Sequence, residues 1–410
     1  MSRYRKNLFF LYLLNISFVG LTYYLEEKYK INKTFDFFNY YILFSTIYFL
    51  WAKFTNFTLK SSKHVFILGL MFIGTEPIFE NDHYRYLWEG KVIAEGFNPY
   101  KTAPNSKKLD SIEFEKRDSI GYSQLTSIYP PLAQMFFIIH SPFSYKIAFC
   151  FMQFLGLLML IYIIFNIFEV RSKSLILLLP YFYKEFVSSV HIDILAIFVM
   201  VFLLKKNSIF SAVVVSFTAK ILSIVILPLL FIKGLFTDRA LLIKTVITSL
   251  MVISIVYLYP FKVGGQSGGE AYISDWSWNS LLGLILNKFN IADLSGRVIL
   301  LSLYSLSYAY IIRHFYKNKF RNINRYFGLS YLFLFLFTPV LHPWYLIWGI
   351  VFIRNNQFFA IYIFSSFLAY YNYGSPYLEG YAEAVQFTLL ILSIKKQFKS
   401  TEYKLPKISI

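Results

Sequence analysis

Apolar runs recur along nearly the whole chain, with polar positions gathered into connecting stretches between them. The runs lie near residues 8–24, 37–52, 64–79, 145–168, 174–189, 191–204, 207–219, 221–233, 240–259, 297–313, 326–340, 343–353, 357–372 and 381–394. Crossing hydrocarbon takes about 20 apolar residues in a helix, fewer where flanking groups snorkel or the segment lies inside a bundle. Several runs are short enough to be half-helices or to merge, so the pattern predicts roughly 11 to 14 crossings. Helix is the expected element throughout, because lipid cannot satisfy open backbone groups. The expected fold class is an all-α polytopic membrane protein, one integral membrane domain over residues 1–410.

Polar stretches set the organisation. Residues 80–144 form the longest, 260–297 a second, and 395–410 a basic tail. The start, "MSRYRKNLFFLYLLNISFVGLTYYL", has the basic flank and apolar run of a signal peptide, but no small-residue cleavage site follows. It is read as an uncleaved first helix. If the N-terminus is cytoplasmic and every run crosses, the cytoplasmic pieces hold 24 of the 40 Lys and Arg and only Glu169, Asp238 and Glu402 of the acids. That asymmetry obeys the positive-inside rule. It predicts cytoplasmic termini, a location in the inner membrane, and an extracytoplasmic loop at 80–144. Within that loop "YPPLAQMFFIIHSP" is too short and Pro-bounded to span, and predicts an interfacial or re-entrant helix from about Pro131.

Composition agrees with the pattern: 57% of residues are hydrophobic, 21% aromatic and only 15% charged, above the apolar share of soluble domains. In such a chain the net charge of +18 reflects membrane orientation rather than nucleic-acid binding. The single Cys150 excludes a disulfide within the chain and Cys-rich zinc sites.

Candidate chemistry collects where polar stretches meet apolar runs. "ENDHYRYLWEG" places Glu80 and Asp82 at the end of an apolar run, with His83 and Arg85 following. Carboxylates that lose hydration there rise in pKa toward the range of a general base; the plain alternative is an interfacial charge cluster. The same stretch predicts a short helix carrying Tyr84, Leu87 and Trp88 on one side and Arg85 with Glu89 four residues on, stopped by Gly96 and Pro99. His191 and Asp193 open another run, as a functional pair or a water-exposed helix terminus. Lys220 interrupts "SFTAKILSIVILPLL" near the outer face, where it offers a point charge to a lipid-linked phosphate or simply snorkels. His342 heads "LHPWYLIW", with Trp344 close by, suited to a donor phosphate or to an aromatic belt. "DWSWNS" adds Asp275 and Trp276. No Walker loop, dinucleotide glycine pattern, nucleophile elbow or HExxH motif occurs.

Taken in order, "ENDHYRYLWEGKVIAEGFNPY", "IYPPLAQMFF", "HIDILAIF", "SFTAKILSIVILPLL", "DWSWNS" and "LHPWYLIWG" resemble the blocks of bacterial GT-C mannosyltransferases that use polyprenyl-phosphate sugars. They are also similar to those of the first mannosyltransferase of GPI-anchor synthesis. The resemblance implies an inverting transfer of a hexose, mannose by resemblance, from a polyprenyl phosphate to a glycan or glycolipid on the outer face. It implies Asp82 as base with Glu80 as alternative or support. Lys220, His342 and Arg85 are expected at the donor phosphate. His191, Asp193, Tyr84, Asp275, Trp276 and Trp344 are expected around the substrates. Where the family often has Asp, this chain has Glu89. No cofactor or metal ligand set is assigned, and a divalent cation stays open. The rival class is a transporter or flippase binding a polar or lipid substrate through the same groups; a lipid-linked glycan ligase or polymerase shares the topology.

Overall fold

The computed structural model describes residues 2–399 apart from 33–35, 56, 62, 78–79, 169–172, 207, 259–277, 290, 292–293, 354–355 and 367–379. Among the described residues the chain is all-helical, and the sole β-type pairing is the isolated parallel bridge between Trp278 and Val340. Among the described residues each of the fourteen apolar runs contains helix, although the run 64–79 is helical only as far as Leu70. Being helical is not the same as crossing, however. Tyr145–Ile167 and Leu294–Lys317 are long and apolar enough to span, and Ser174–Ser188 with Asp193–Lys205 make a third only as one span bent by 110°. The expected 11 to 14 crossings are therefore not reached by length and apolarity among the described residues.

The bent pair has local causes. Pro180 lies inside the Lys173–Tyr183 helix, where it removes a backbone donor and crowds the preceding turn. The next turn, Lys184–Ser188, is wound as a π-helix, a form that frequently marks functional sites. Val190 then takes φ 48°, an uncommon conformation for a β-branched residue, and Asp193–Lys205 starts in a new direction.

The helix Tyr145–Ile167 braces this bend. A Cβ on Gly156 would meet the Phe186 carbonyl oxygen at 2.5 Å, so only glycine lets the two backbones approach. Gln153, one turn earlier and fully buried, donates to the carbonyls of Thr75 (2.7 Å) and Ser188 (3.1 Å) and accepts from the Gly74 N–H (2.7 Å). It thereby fixes the segment leading to Glu80 against the end of the π turn.

The 80–144 loop is a folded cap. Its helices are Asp82–Ala94 and Pro131–Ile138, the latter with proline at its first position. A Cβ on Gly90 would run into the Phe137 carbonyl, and Tyr86 stacks on Phe137 at 4.8 Å. Most of Asp82–Ala94 is buried in protein, so it does not lie half-exposed on a membrane surface.

Several helices carry open apolar faces, including Ile243, Ile247, Leu250 and Ile253 on Arg239–Leu258 and Leu294, Val298, Leu301 and Leu306 on Leu294–Lys317. Contiguous faces of this kind mark contact with lipid or partners. Together with the spanning helices they place the chain in association with a membrane.

Candidate active site

The 110° bend puts five ionisable side chains close together. Glu80 accepts from Lys184 Nζ at 2.6 Å and faces His191 Nε2 at 2.5 Å. Glu185, from the same π turn as Lys184, lies 3.2 Å from Lys184 and 3.4 Å from His191. Asp82 is the outer member, its carboxylate 4.0 Å from His191 Nδ1. Glu80, Lys184, Glu185 and His191 are nearly inaccessible, whereas the Asp82 side chain keeps 40% of its surface open.

The two loop carboxylates are thus differently charged environments. Burial pushes Glu80 up, but the charges and hydrogen bonds of His191 and Lys184 outweigh it and hold Glu80 well below the usual carboxylate range. Asp82 moves the other way: burial raises it and the Glu80 charge adds to the rise, against His191, Lys220 and Arg85. Its 40% exposure admits water and limits that rise below what full burial would give. Asp82 makes no side-chain hydrogen bond among the described residues and comes no closer than 4.0 Å to His191.

A second group adjoins the first. Asp193 is fully buried, accepts from Trp348 Nε1 at 2.8 Å, and lies 3.3 Å from Lys220 Nζ. It is not the water-exposed terminus that its place at a helix start allowed. Lys220, 18% exposed, also sits over the Tyr345 ring at 5.1 Å. It lies in an extended residue between the helices Ile209–Phe217 and Ile221–Ile226, where the apolar run breaks. Four rings then form a column: His191 on Trp344 (3.7 Å), Trp344 on His342 (4.2 Å), and His342 on Trp278 (4.8 Å). The column carries His342 Nδ1, buried without a hydrogen-bond partner among the described residues, to the edge of the charged cluster.

Glu80, Glu185 and His191 bring three ligand atoms within 4.8 Å of one another, the spacing a divalent cation would use. The Lys184 ammonium already bridges both carboxylates, and His191 Nε2 lies at hydrogen-bond distance, 2.5 Å, from Glu80, a contact that needs a proton on one of the two atoms. A ligating imidazole needs that nitrogen free of a proton. The donor set does not fit a bound cation as arranged.

Other expected residues lie elsewhere. Arg85, expected at a donor phosphate, pairs with Glu89 at 2.8 Å and donates to the carbonyls of Tyr122 (3.2 Å) and Leu125 (2.7 Å), all within the cap. Glu89 also accepts from Ser127 and Gln134, both at 2.6 Å, so the position where the resembled blocks often have Asp is a structural anchor here. Tyr84 packs against His83 and Tyr145. Asp275 and Trp276 fall outside the described residues.

A family model for the N-terminal domain of alpha-(1->6)-mannopyranosyltransferases matches residues 51–237, just under half of the chain. The match contains Glu80, Asp82, Lys184, Glu185, His191, Asp193 and Lys220. The chain is a glycosyltransferase of the mannosyltransferase kind. Comparisons with curated proteins and with solved structures gave no match. The family finding supports the GT-C mannosyltransferase resemblance and gives no support to a transporter.

Sequence reasoning did not place four residues of this candidate site: Lys184, Glu185, Tyr345 and Trp348. Lys184 and Glu185 had a usable signal, two adjacent charges inside the apolar run 174–189, where ionisable groups are costly and mark function. Trp348 had none, because one more aromatic in an apolar helix is ordinary.

Proposed function

We propose that the enzyme moves a hexose, mannose, from a polyprenyl phosphate to a hydroxyl of a glycan or glycolipid on the extracytoplasmic face, with inversion. The observation that carries this reading is the contrast between two neighbouring carboxylates. Glu80 is neutralised by a lysine and a histidine, while Asp82 is open, without a side-chain hydrogen bond among the described residues, and raised in pKa. That is the pairing of a positioned support with a general base.

In the proposed step Asp82 accepts the proton of the acceptor hydroxyl. The oxygen attacks the anomeric carbon as the bond to the phosphate oxygen breaks, and the electron pair leaves with the polyprenyl phosphate. Inversion follows from attack opposite that leaving group. Lys220 meets the negative charge that develops on the phosphate, and His342 lies beside it as a second group for the same anion. Glu80 holds His191 in place, and His191, Asp193 and Trp344 form the wall against which the sugar rests. Tyr84, Asp275 and Trp276 remain proposed substrate contacts. Arg85 is assigned to the cap instead.

Membranes carrying Asp82→Asn are expected to lose transfer of labelled mannose from polyprenyl-phosphate mannose by about 10²–10⁴-fold, the usual contribution of a general base. Transfer at the parental rate would remove Asp82 from the base role.

A further inference from the structure

A polar cleft of about 340 Å³ lies at the turn between the spanning helix Leu294–Lys317 and the helix Ile323–Phe337. Lys317, Lys319, Arg321 and Arg325 line it with Asn318 and Asn322, and among the described residues no Asp or Glu does so. Lys317 ends a helix long and apolar enough to cross, so the cleft lies where that helix meets the membrane surface. The helix Ile323–Phe337 then leads away from it toward His342. Its 15 residues measure roughly 22 Å at about 1.5 Å per residue, which separates the cleft from the charged cluster.

Positive charge alone is ordinary at such a surface, because loops facing the cytoplasm collect Lys and Arg. Arg325 departs from that pattern. It sits in the first turn of its helix, half-buried, with its guanidinium 5.8 Å from the Tyr326 ring centre. Its Nε is buried without a hydrogen-bond partner among the described residues. The surroundings are fixed. Asn318 Nδ2 donates to Tyr326 Oη at 2.6 Å, and His314 Nδ1 lies 3.0 Å from the same oxygen. Lys319, Phe320 and Asn322 take φ 52°, 57° and 53°, uncommon for residues with side chains. Phe320 is wedged among Phe315 (5.2 Å), Tyr316 (5.6 Å) and Phe236 (5.7 Å), which holds the turn in that shape. No acid nearby in sequence offsets the cations, since none occurs between Asp293 and Glu379. Asp238, two residues after Phe236, accepts from the Ala240 and Leu241 amides and is not in the lining.

We propose that this cleft binds a phosphate group, separate from the donor phosphate assigned to Lys220 and His342. Arg321 and Arg325 supply planar forks that match phosphate oxygens, and Lys317 and Lys319 add point charges. An anionic lipid headgroup is one carrier of that chemistry, since basic pockets between helices at a membrane surface take such headgroups. A soluble phosphate ester is the other.

The test titrates full-length enzyme in phosphatidylcholine bicelles at constant ionic strength, with phosphatidylglycerol in one arm and inorganic phosphate in the other. A saturable rise in thermal midpoint gives an apparent Kd. Arg325→Gln is expected to weaken it about tenfold, the scale of losing one or two hydrogen bonds to a charged group. Lys319→Gln/Arg321→Gln, at exposed positions, should do the same and carries the test if Arg325→Gln does not fold. Lys53→Gln, which removes an exposed cation outside the cleft, should bind as the parent does. A response to phosphatidylglycerol that the cleft variants lose names a headgroup as carrier, and such a response to inorganic phosphate names a soluble ester. No saturable response in either arm, parental affinity in the cleft variants, or an equal loss in Lys53→Gln would overturn the site.

Discussion

Lys184 is the residue on which the charged cluster depends, and removing it separates this reading from simple apolar packing. Its ammonium lies 2.6 Å from Glu80 and 3.2 Å from Glu185, and all three side chains are at most 6% exposed. With Lys184→Met, two buried carboxylates remain beside one imidazole. Removing one partner of a buried pair costs ~3–5 kcal/mol, chiefly because the other charge is left uncompensated. At ~2 °C per kcal/mol for larger domains, the midpoint should fall by ~6–10 °C. Removing the surplus charge as well, in Lys184→Met/Glu185→Leu, leaves Glu80 facing His191 alone. That double variant should recover ~1–3 kcal/mol relative to the single, as expected for residues in direct contact. The free, half-buried thiol of Cys150 supplies the assay, since it lies in the helix that braces the π turn. A thiol-reactive dye would report unfolding of detergent-solubilised enzyme during a thermal ramp. A single variant melting within ~2 °C of the parent, or a double variant less stable than the single, would refute the claim that Lys184 balances both carboxylates.

Two other outcomes follow from the site. Asp82 works as a base only when deprotonated and its pKa is raised above the ordinary 3.8, so kcat/KM should fall on the acid side starting above the usual carboxylate range. The same shift has a stability sign. Because the folded state disfavours the charged form, stability declines as pH rises from 3.8 through the raised pKa. Asp82→Asn should therefore melt no lower than the parent at pH 7 while losing activity; a variant that loses both together would contradict the assignment. Lys220→Met should lower kcat by about 10²–10³-fold, the scale of losing one preorganised group at a developing anion. Lys220→Arg should restore it only in part, since a compact ammonium sits between Asp193 and the Tyr345 ring. Full rescue by arginine in a steady-state transfer assay would argue for a diffuse charge effect.

How much of this was legible from sequence depended on whether a signal was local. The Arg85–Glu89 spacing gave its ion pair directly, because residues four apart on a helix meet whatever surrounds them. The structure engages the Arg85 guanidinium in that local pair and with two cap carbonyls, which favours a place in the cap over the expected one at a phosphate. Glu80, Asp82, His191, Asp193, Lys220 and His342 were each visible as polar groups at the edge of an apolar run. Their assembly was not, since it depends on a 110° bend. An apolar run predicts a helix but carries no information on where it turns, which is why the roughly 11 to 14 expected crossings do not follow from helix length and apolarity among the described residues.

The bend itself shows why. Pro180 is a signal that a helix is disturbed, yet it lies ten residues before Val190, where the chain takes its left-handed turn. No sequence rule assigns a positive φ to valine, which avoids that region; holding it there costs of order 1–3 kcal/mol and needs neighbours that over-determine it. Those neighbours come from distant parts of the chain. The Gly156 helix leaves no room for Phe186 to retreat, Gln153 holds Ser188, and His191 is clamped between Trp344 and Glu80. The strained residue thus sits between the π turn that supplies Lys184 and Glu185 and the helix start that supplies His191 and Asp193. A relaxed, straight helix would place those two pairs about two turns apart along one axis. The turn at Val190 folds them toward one point, where Glu80 can reach both Lys184 and His191.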